Sequence, residues 1–393
     1  MLTLFRSRLF LAIATGHFGV DILNSAGPVL LAVLSKPLGL SNAQIGLALT
    51  LYTFVGSLSQ PLFGWLADRV QSRPAALAGV GVGWMALCFS AVALAQSWLV
   101  LLPCFLLAAL GSGLFHPVGT ANAGAAHPSR AASATALFFF CGQMGLALGP
   151  MLGGLLFRVS GNLGTLPMAA FLLLPVTLLL TAPAGARIHG ASKKSASGPA
   201  RTAGAIVAAF ILLVALRSSI QAAYSAFLPK LFADRSWDSA AYGMLAGTFM
   251  LAAAIGNIVT GELADRRGMR AATVGPLLLG VPAGLICLWA PTPLAAFVAS
   301  ALSGLLIGGQ HSVLVVHAQR LIPARQGFAA GLILGFTFAA GGIGTWLAGI
   351  AADQIGLLRA LQAITLLGVP AALLALTLPG RATPAPLAAR AEA

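Results

Sequence analysis

Apolar residues run through this chain in long blocks separated by short polar turns, and the blocks lack the period-two alternation of a lipid-facing barrel strand. Twelve helices are expected, at 8–34, 42–67, 75–95, 98–122, 133–158, 163–183, 204–231, 239–264, 271–290, 293–319, 326–352 and 357–378. Each has the roughly 20 residues that cross a bilayer core of about 30 Å. Backbone groups in hydrocarbon must satisfy one another, and a helix does so within its own segment.

Composition turns a helical protein into a membrane protein. Of 393 residues, 59% are hydrophobic and 8% charged, where a soluble domain carries about 25% charged residues. The formal charge of +14 would suit a nucleic-acid partner, but its placement points elsewhere. Arg6, Arg8, Arg69, Arg73, Arg130, Arg187, Lys193, Lys194, Arg201, Arg266, Arg267, Arg270, Arg320, Arg325, Arg381 and Arg390 fall on one side of the expected spans. Lys36, Arg158, Lys230, Arg235 and Arg359 fall on the other. The positive-inside rule then puts both termini in the cytoplasm and the chain in a cytoplasmic (inner) membrane, with lipid and no nucleic acid as its surroundings.

Arg6 and Arg8 ahead of an apolar run imitate a signal peptide. The run continues to Leu34, carries Asp21 and Asn24 and leads into another span, so an uncleaved first helix is expected. Cys88, Cys104, Cys141 and Cys287 stand singly inside spans, which suits packing; no metal and no cofactor are expected. The sequence has no Gly-x-x-x-x-Gly-Lys-Ser/Thr loop and no cluster of catalytic groups, so neither ATP as energy source nor an enzyme is expected.

The chain also repeats itself. Gly64-Trp65-Leu66-Ala67-Asp68-Arg69 recurs 197 residues later as Gly261-Glu262-Leu263-Ala264-Asp265-Arg266. Gly113-Leu114-Phe115-His116, with Pro128 and Arg130 downstream, recurs as Gly308-Gly309-Gln310-His311 with Pro323 and Arg325. An all-α fold of two pseudo-symmetric six-helix halves follows, with a substrate site between them near the midplane. The expected parts are a bundle at 1–183, a basic cytoplasmic linker at 184–203, a second bundle at 204–380 and a tail at 381–393. Asp68 and Asp265 stand at helix C-termini, where a carboxylate opposes the local dipole; each is expected to serve another helix's N-terminus or a cation across the bundle. With Arg69, Arg73, Arg130, Arg266, Arg270 and Arg325 they make candidate latches between two packings of the halves.

The paired loops 64–73 and 261–270 resemble the loop motif of the major facilitator superfamily. More narrowly, Gly16-His17 with Asp21, Ser59-Gln60-Pro61-Leu62-Phe63-Gly64, Phe115-His116-Pro117, Gly149-Pro150, Ala318-Gln319 with Pro323 and Arg325, and the run Gly331 to Asp353 resemble its fosmidomycin-resistance subfamily. The resemblance implies drug or phosphonate efflux. In that subfamily a glutamate usually follows the His-Pro pair; here Val118 and Ala121 occupy the neighbourhood, so more of any proton coupling falls to Asp21.

Ionisable groups inside spans cost at least about 2.5 to 3.5 kcal/mol and mark functional candidates. His17, Asp21 and Asn24 fall on one face of the first helix, and Arg217, Gln221 and Tyr224 repeat the spacing in the seventh. Both stripes are expected to face a central cavity, Asp21 for a proton or a cationic group and Arg217 for a carboxylate, phosphate or phosphonate. An ion pair between Asp21 and Arg217 is the structural alternative. His116 and His311, at matching positions, are candidate proton carriers. Gly145, Gly149, Pro150, Gly153 and Gly154 resemble the superfamily's antiporter motif: glycines four apart allow close helix contact and proline permits a bend. The expected function is a monomeric secondary transporter exchanging protons for a small amphiphilic or anionic compound. A facilitator or symporter importing an organic anion, and a sensor without flux, are the alternatives.

Overall fold

The computed structural model describes residues 2–69, 73–127, 130–182, 204–321 and 326–379, and no strand occurs among them. The helices of the first half are α1 (Arg8–Ser35), α2 (Asn42–Arg69), α3 (Pro74–Val92), α4 (Trp98–Ala125), α5 (Ala131–Ser160), α6 (Thr165–Phe171) and α7 (Leu173–Thr181). Those of the second are α8 (Gly204–Asp234), α9 (Ser239–Arg267), α10 (Met269–Trp289), α11 (Pro293–Ser303), α12 (His311–Leu321), α13 (Gln326–Ile355), α14 (Leu357–Leu366) and α15 (Gly368–Ala375). The segments expected as linker (184–203) and tail (381–393) lie outside the described residues, as do Arg325 and the side chain of Asp68.

Among the described residues, eleven apolar helical stretches are long enough to cross a membrane. One of them, Ser133–Thr181, has 49 residues, about 74 Å of helix and more than twice a bilayer core. It doubles back at Gly161–Gly164, where Gly161 adopts a φ of +55° that a side chain would resist. Gly16 lies against Leu179 while its neighbour His17 lies against Phe138, so both ends of the stretch return to one level. That makes twelve crossings, as the hydrophobic blocks predict.

Three spans expected as single helices are interrupted. In the sixth, α6 ends at Phe171, and in the twelfth, α14 ends at Leu366. Each end lies four residues before a proline, Pro175 or Pro370, which has no N–H to return to that carbonyl. In the tenth, α11 runs into a π-helical turn at Gly304–Gly308 before α12 begins.

The two halves meet through α2 against α13 and α5 against α9. The contacts that join them gather at the end where α1 finishes, here termed the outer end. Gly46 packs on Thr345 and Trp346, Gly349 on Asn42 and Ala43, Gly154 on Ser239 and Gly243, and Gly247 on Met151. Thr50 donates to the Gly342 carbonyl at 2.6 Å and Ser239 to that of Gly154 at 2.9 Å. At the inner end, α2 and α9 carry exposed Leu58, Leu62, Trp65, Ile258 and Val259.

Candidate functional site

The polar stripe of α1 forms one connected cluster. Asp21 Oδ2 lies 3.2 Å from His17 Nε2 and Asp21 Oδ1 lies 3.4 Å from His116 Nε2 of α4. Asn24 donates to Asp21 Oδ1 at 2.9 Å and to Ser112 Oγ at 3.1 Å, and accepts from the Tyr52 hydroxyl of α2 at 2.7 Å. The far nitrogens of both imidazoles meet backbone carbonyls: His17 Nδ1 the Phe138 oxygen at 2.9 Å, and His116 Nδ1 the Ser112 oxygen at 2.8 Å. His17 also stacks on the Phe138 ring at 4.0 Å between centroids. Asp21 and His17 are buried, whereas the His116 side chain is 23% exposed and gives the cluster its access.

A glycine row on α5 brings this cluster together. Gly145, Gly149 and Gly153 lie against Phe18 and Asp21, Ile22 and Ser25, and Ala26 of α1, so the motif read as a bend is first a close-approach face. Gly142 extends the row; a Cβ there would stand 2.5 Å from the His17 ring and 2.7 Å from Asp21 Oδ2. Gly154 turns the other way, onto α9. The helix is continuous through Pro150. Gly142, Ser112 and Tyr52 are cluster residues that the sequence did not single out as polar partners. The first two stood in view, Gly142 three residues before Gly145 on the same face and Ser112 one turn before His116.

The matching stripe of α8 divides instead of facing one cavity. Arg217 is 1% exposed, and its guanidinium donates to the carbonyls of Ile307 at 3.3 Å and Gly308 at 2.5 Å. A π-helical turn leaves carbonyls short of intrahelical partners, and Arg217 fills that need. In this packing it forms no ion pair among the described residues, with Asp21 or with any other carboxylate. Tyr224 is fully buried and its hydroxyl meets Thr365 Oγ1 at 2.8 Å. Gln221 and His311 are half-buried.

The inner-end charges serve their own halves. Arg69 stacks over Trp65 at 3.8 Å, Arg266 pairs with Glu262 at 2.6 Å, and Arg270 Nε donates to the Leu378 carbonyl at 3.0 Å. Arg73, Arg130 and Asp265 are exposed. A carboxylate does serve another helix's N-terminus, at the opposite end of the molecule: Asp353 of α13 accepts from the backbone N–H of Asn42 at 2.8 Å and of Ala43 at 2.9 Å, and from Asn42 Nδ2 at 3.0 Å. On the other flank Arg158 of α5 approaches Asp238, the N-cap of α9, at 3.9 Å.

Sequence comparison matches the Major Facilitator Superfamily profile twice, over residues 9–220 and 209–393. This chain belongs to the Major Facilitator Superfamily. Members are transporters of small molecules within a membrane and not enzymes. Among curated relatives, the MFS-type transporter YfnC of Bacillus subtilis (strain 168) is 30% identical over 92% of this chain and 90% of its own. The fosmidomycin resistance protein of Escherichia coli (strain K12) is 28% identical over 87% and 86%. Among solved structures, a bacterial homologue of the human lysosomal transporter Spinster superposes with a TM-score of 0.75 at 16% identity, covering 94% of this chain and 98% of that one. The nucleoside transporter NupG gives 0.76 at 14%, covering 94% and 98%.

Proposed function

We propose that this superfamily member is a proton-coupled exporter that works by alternating access in an inner membrane, as a monomer, with its arginine-rich end and both termini in the cytoplasm. Its cargo is a small amphiphilic or anionic compound of the kind that a phosphonate drug represents. The observation that carries the coupling is the His17–Asp21–His116 cluster: one buried carboxylate between two imidazole Nε2 atoms, reached through the partly exposed ring of His116. Such a group holds a proton between sites that exchange it near neutral pH. The same donor atoms lie within 4.8 Å of one another, close enough to share one cation; the cation of this proposal is the proton.

With the positively charged end in the cytoplasm, the contacts between the halves at the outer end and the exposed Leu58, Leu62, Trp65, Ile258 and Val259 toward the inner end support an inward-open packing ready to load cargo. Likeness to the fosmidomycin resistance protein supports the choice of cargo class. Import of an organic anion is the second reading: the missing fourth-helix acid favours it, while Arg217, turned here to the Ile307 and Gly308 carbonyls, gives it less support than the sequence suggested. The test is flux in reconstituted vesicles with fosmidomycin as probe. Accumulation driven by an acid interior, lost in Asp21→Asn, is expected. Accumulation indifferent to pH would leave a facilitator, and binding without flux would leave a sensor.

A further inference from the structure

We infer that the His17–Asp21–His116 cluster is a two-proton site, in which His17 is a proton carrier in its own right beside His116. The inference deepens the proton-coupled reading and rests on it for its role in transport, though not for its chemistry.

The hydrogen-bonding partners of the two rings set the number of protons. A carbonyl oxygen only accepts, so the ring nitrogens facing Phe138 O and Ser112 O, at 2.9 and 2.8 Å, both carry hydrogen, and the Ser112 hydroxyl oxygen, 3.3 Å from His116 Nδ1, is a second, longer acceptor of the same hydrogen. In a neutral imidazole the other nitrogen is then bare. Each bare Nε2 faces a different oxygen of the same carboxylate, His17 toward Oδ2 and His116 toward Oδ1. Without added protons, lone pair meets lone pair along both lines, inside a span where such a conflict has no water to relieve it. One proton satisfies one line and makes the cluster neutral. A second satisfies the other and leaves it at +1. Asn24 adds nothing to this count, because its amide already donates to Asp21 Oδ1 and Ser112 Oγ while its oxygen accepts from Tyr52.

Among the described residues, no charged group other than His17 and His116 acts on Asp21. Among the elements packed on α1, α2 presents the Tyr52 hydroxyl, held by Asn24, with Cys88 of α3 beyond it. From α5 come the Phe138 carbonyl and Gly142, and from α4 come Ser112 and His116. Arg217 of α8 is turned to its own carbonyls. Entry follows exposure. The His116 side chain is 23% exposed and that of His17 only 5%. The first proton therefore arrives on His116 Nε2, moves to Asp21 Oδ1, and after a half-turn of the carboxyl group passes from that oxygen to His17 Nε2. His116 is then free to take the second, and release retraces the path.

The experiment reads the rings directly. Protein labelled with 15N-histidine, in nanodiscs with EDTA present, is followed by nitrogen NMR from pH 9 to pH 5; the single variants His17→Gln and His116→Gln assign the two signals. Expected are hydrogen on Nδ1 of both rings at every pH and hydrogen on both Nε2 atoms at pH 5. An Nε2–H tautomer with bare Nδ1 in either ring at pH 9, or either ring still neutral at pH 5, would overturn the two-proton site. If a variant fails to fold, the tautomers and the number of doubly protonated rings in the unsubstituted protein still decide the matter. Vesicle flux is independent of this measurement: two protons bound without pH-driven transport would defeat the exporter and leave the site, and the reverse result would do the opposite.

Discussion

At the scale of single residues, the cluster on α1 depends as much on a missing side chain as on those present. His17 and Asp21 reach their geometry because α5 offers Gly142 and Gly145 at the point of contact. Gly142→Ala should cost roughly 1 to 3 kcal/mol, as an overpacked interior does. It should lower the melting temperature in detergent and reduce pH-driven flux together. Gly83→Ala, where the nearest atoms stand 3.9 Å away, is the control expected to change little. Equal effects of the two would detach the glycine row from the site. His17, Asp21 and Asn24 were legible from the sequence because a helical period puts them on one face, and polar groups in an apolar span stand out. Their arrangement was not, since the Phe138 and Ser112 carbonyls that fix the rings leave no mark in residue type.

At the scale of elements, identical spacing led to different outcomes in α1 and α8. Arg217 reads as an anion site when the tenth span is taken for an unbroken helix. The π-helical turn at Gly304–Gly308 supplies carbonyls that claim it, and a glycine-rich run in the sequence does not distinguish a π turn from ordinary close packing. Arg217→Met should therefore act on stability, leaving buried carbonyls unpaired at a cost of about 1 to 3 kcal/mol. Thermal unfolding should show the loss; unchanged stability with a selective loss of anion binding would restore the cavity reading. The breaks at Phe171 and Leu366 precede Pro175 and Pro370, but Pro150 and seven other prolines lie inside unbroken helices, so residue type alone did not mark them.

A contact of the kind expected of a latch is present at the outer end. A carboxylate at one helix's end serving the N-terminus of another describes Asp353 on α2. Removing a carboxylate from a helix N-terminus costs about 1 kcal/mol, and about 1 kcal/mol shifts a two-state balance roughly fivefold. Asp353→Ala should accordingly favour opening of the outer end, read as faster thiol labelling of Thr50→Cys from the outer side. An unchanged rate would remove Asp353 from the gate.

For the whole molecule, the proposed alternating access takes the packing joined at the outer end as one of two, and assigns Asp265 and Arg69, exposed here, to contacts across the halves in the other. The twelve crossings and the duplication were legible because hydrophobic length and a 197-residue repeat are properties of sequence. Which end is joined was not, because both packings use the same residues. The central claim is that proton occupancy of the α1 cluster selects between them. Spin-label distances test it most directly, with one pair at Lys36 and Ser236 across the outer end and another at Arg69 and Arg267 across the inner end, followed from pH 9 to pH 5. The outer pair should change in one direction and the inner pair in the other, in a single shared step that Asp21→Asn abolishes. Distances that stay fixed across this range, or a step that persists in Asp21→Asn, would contradict it.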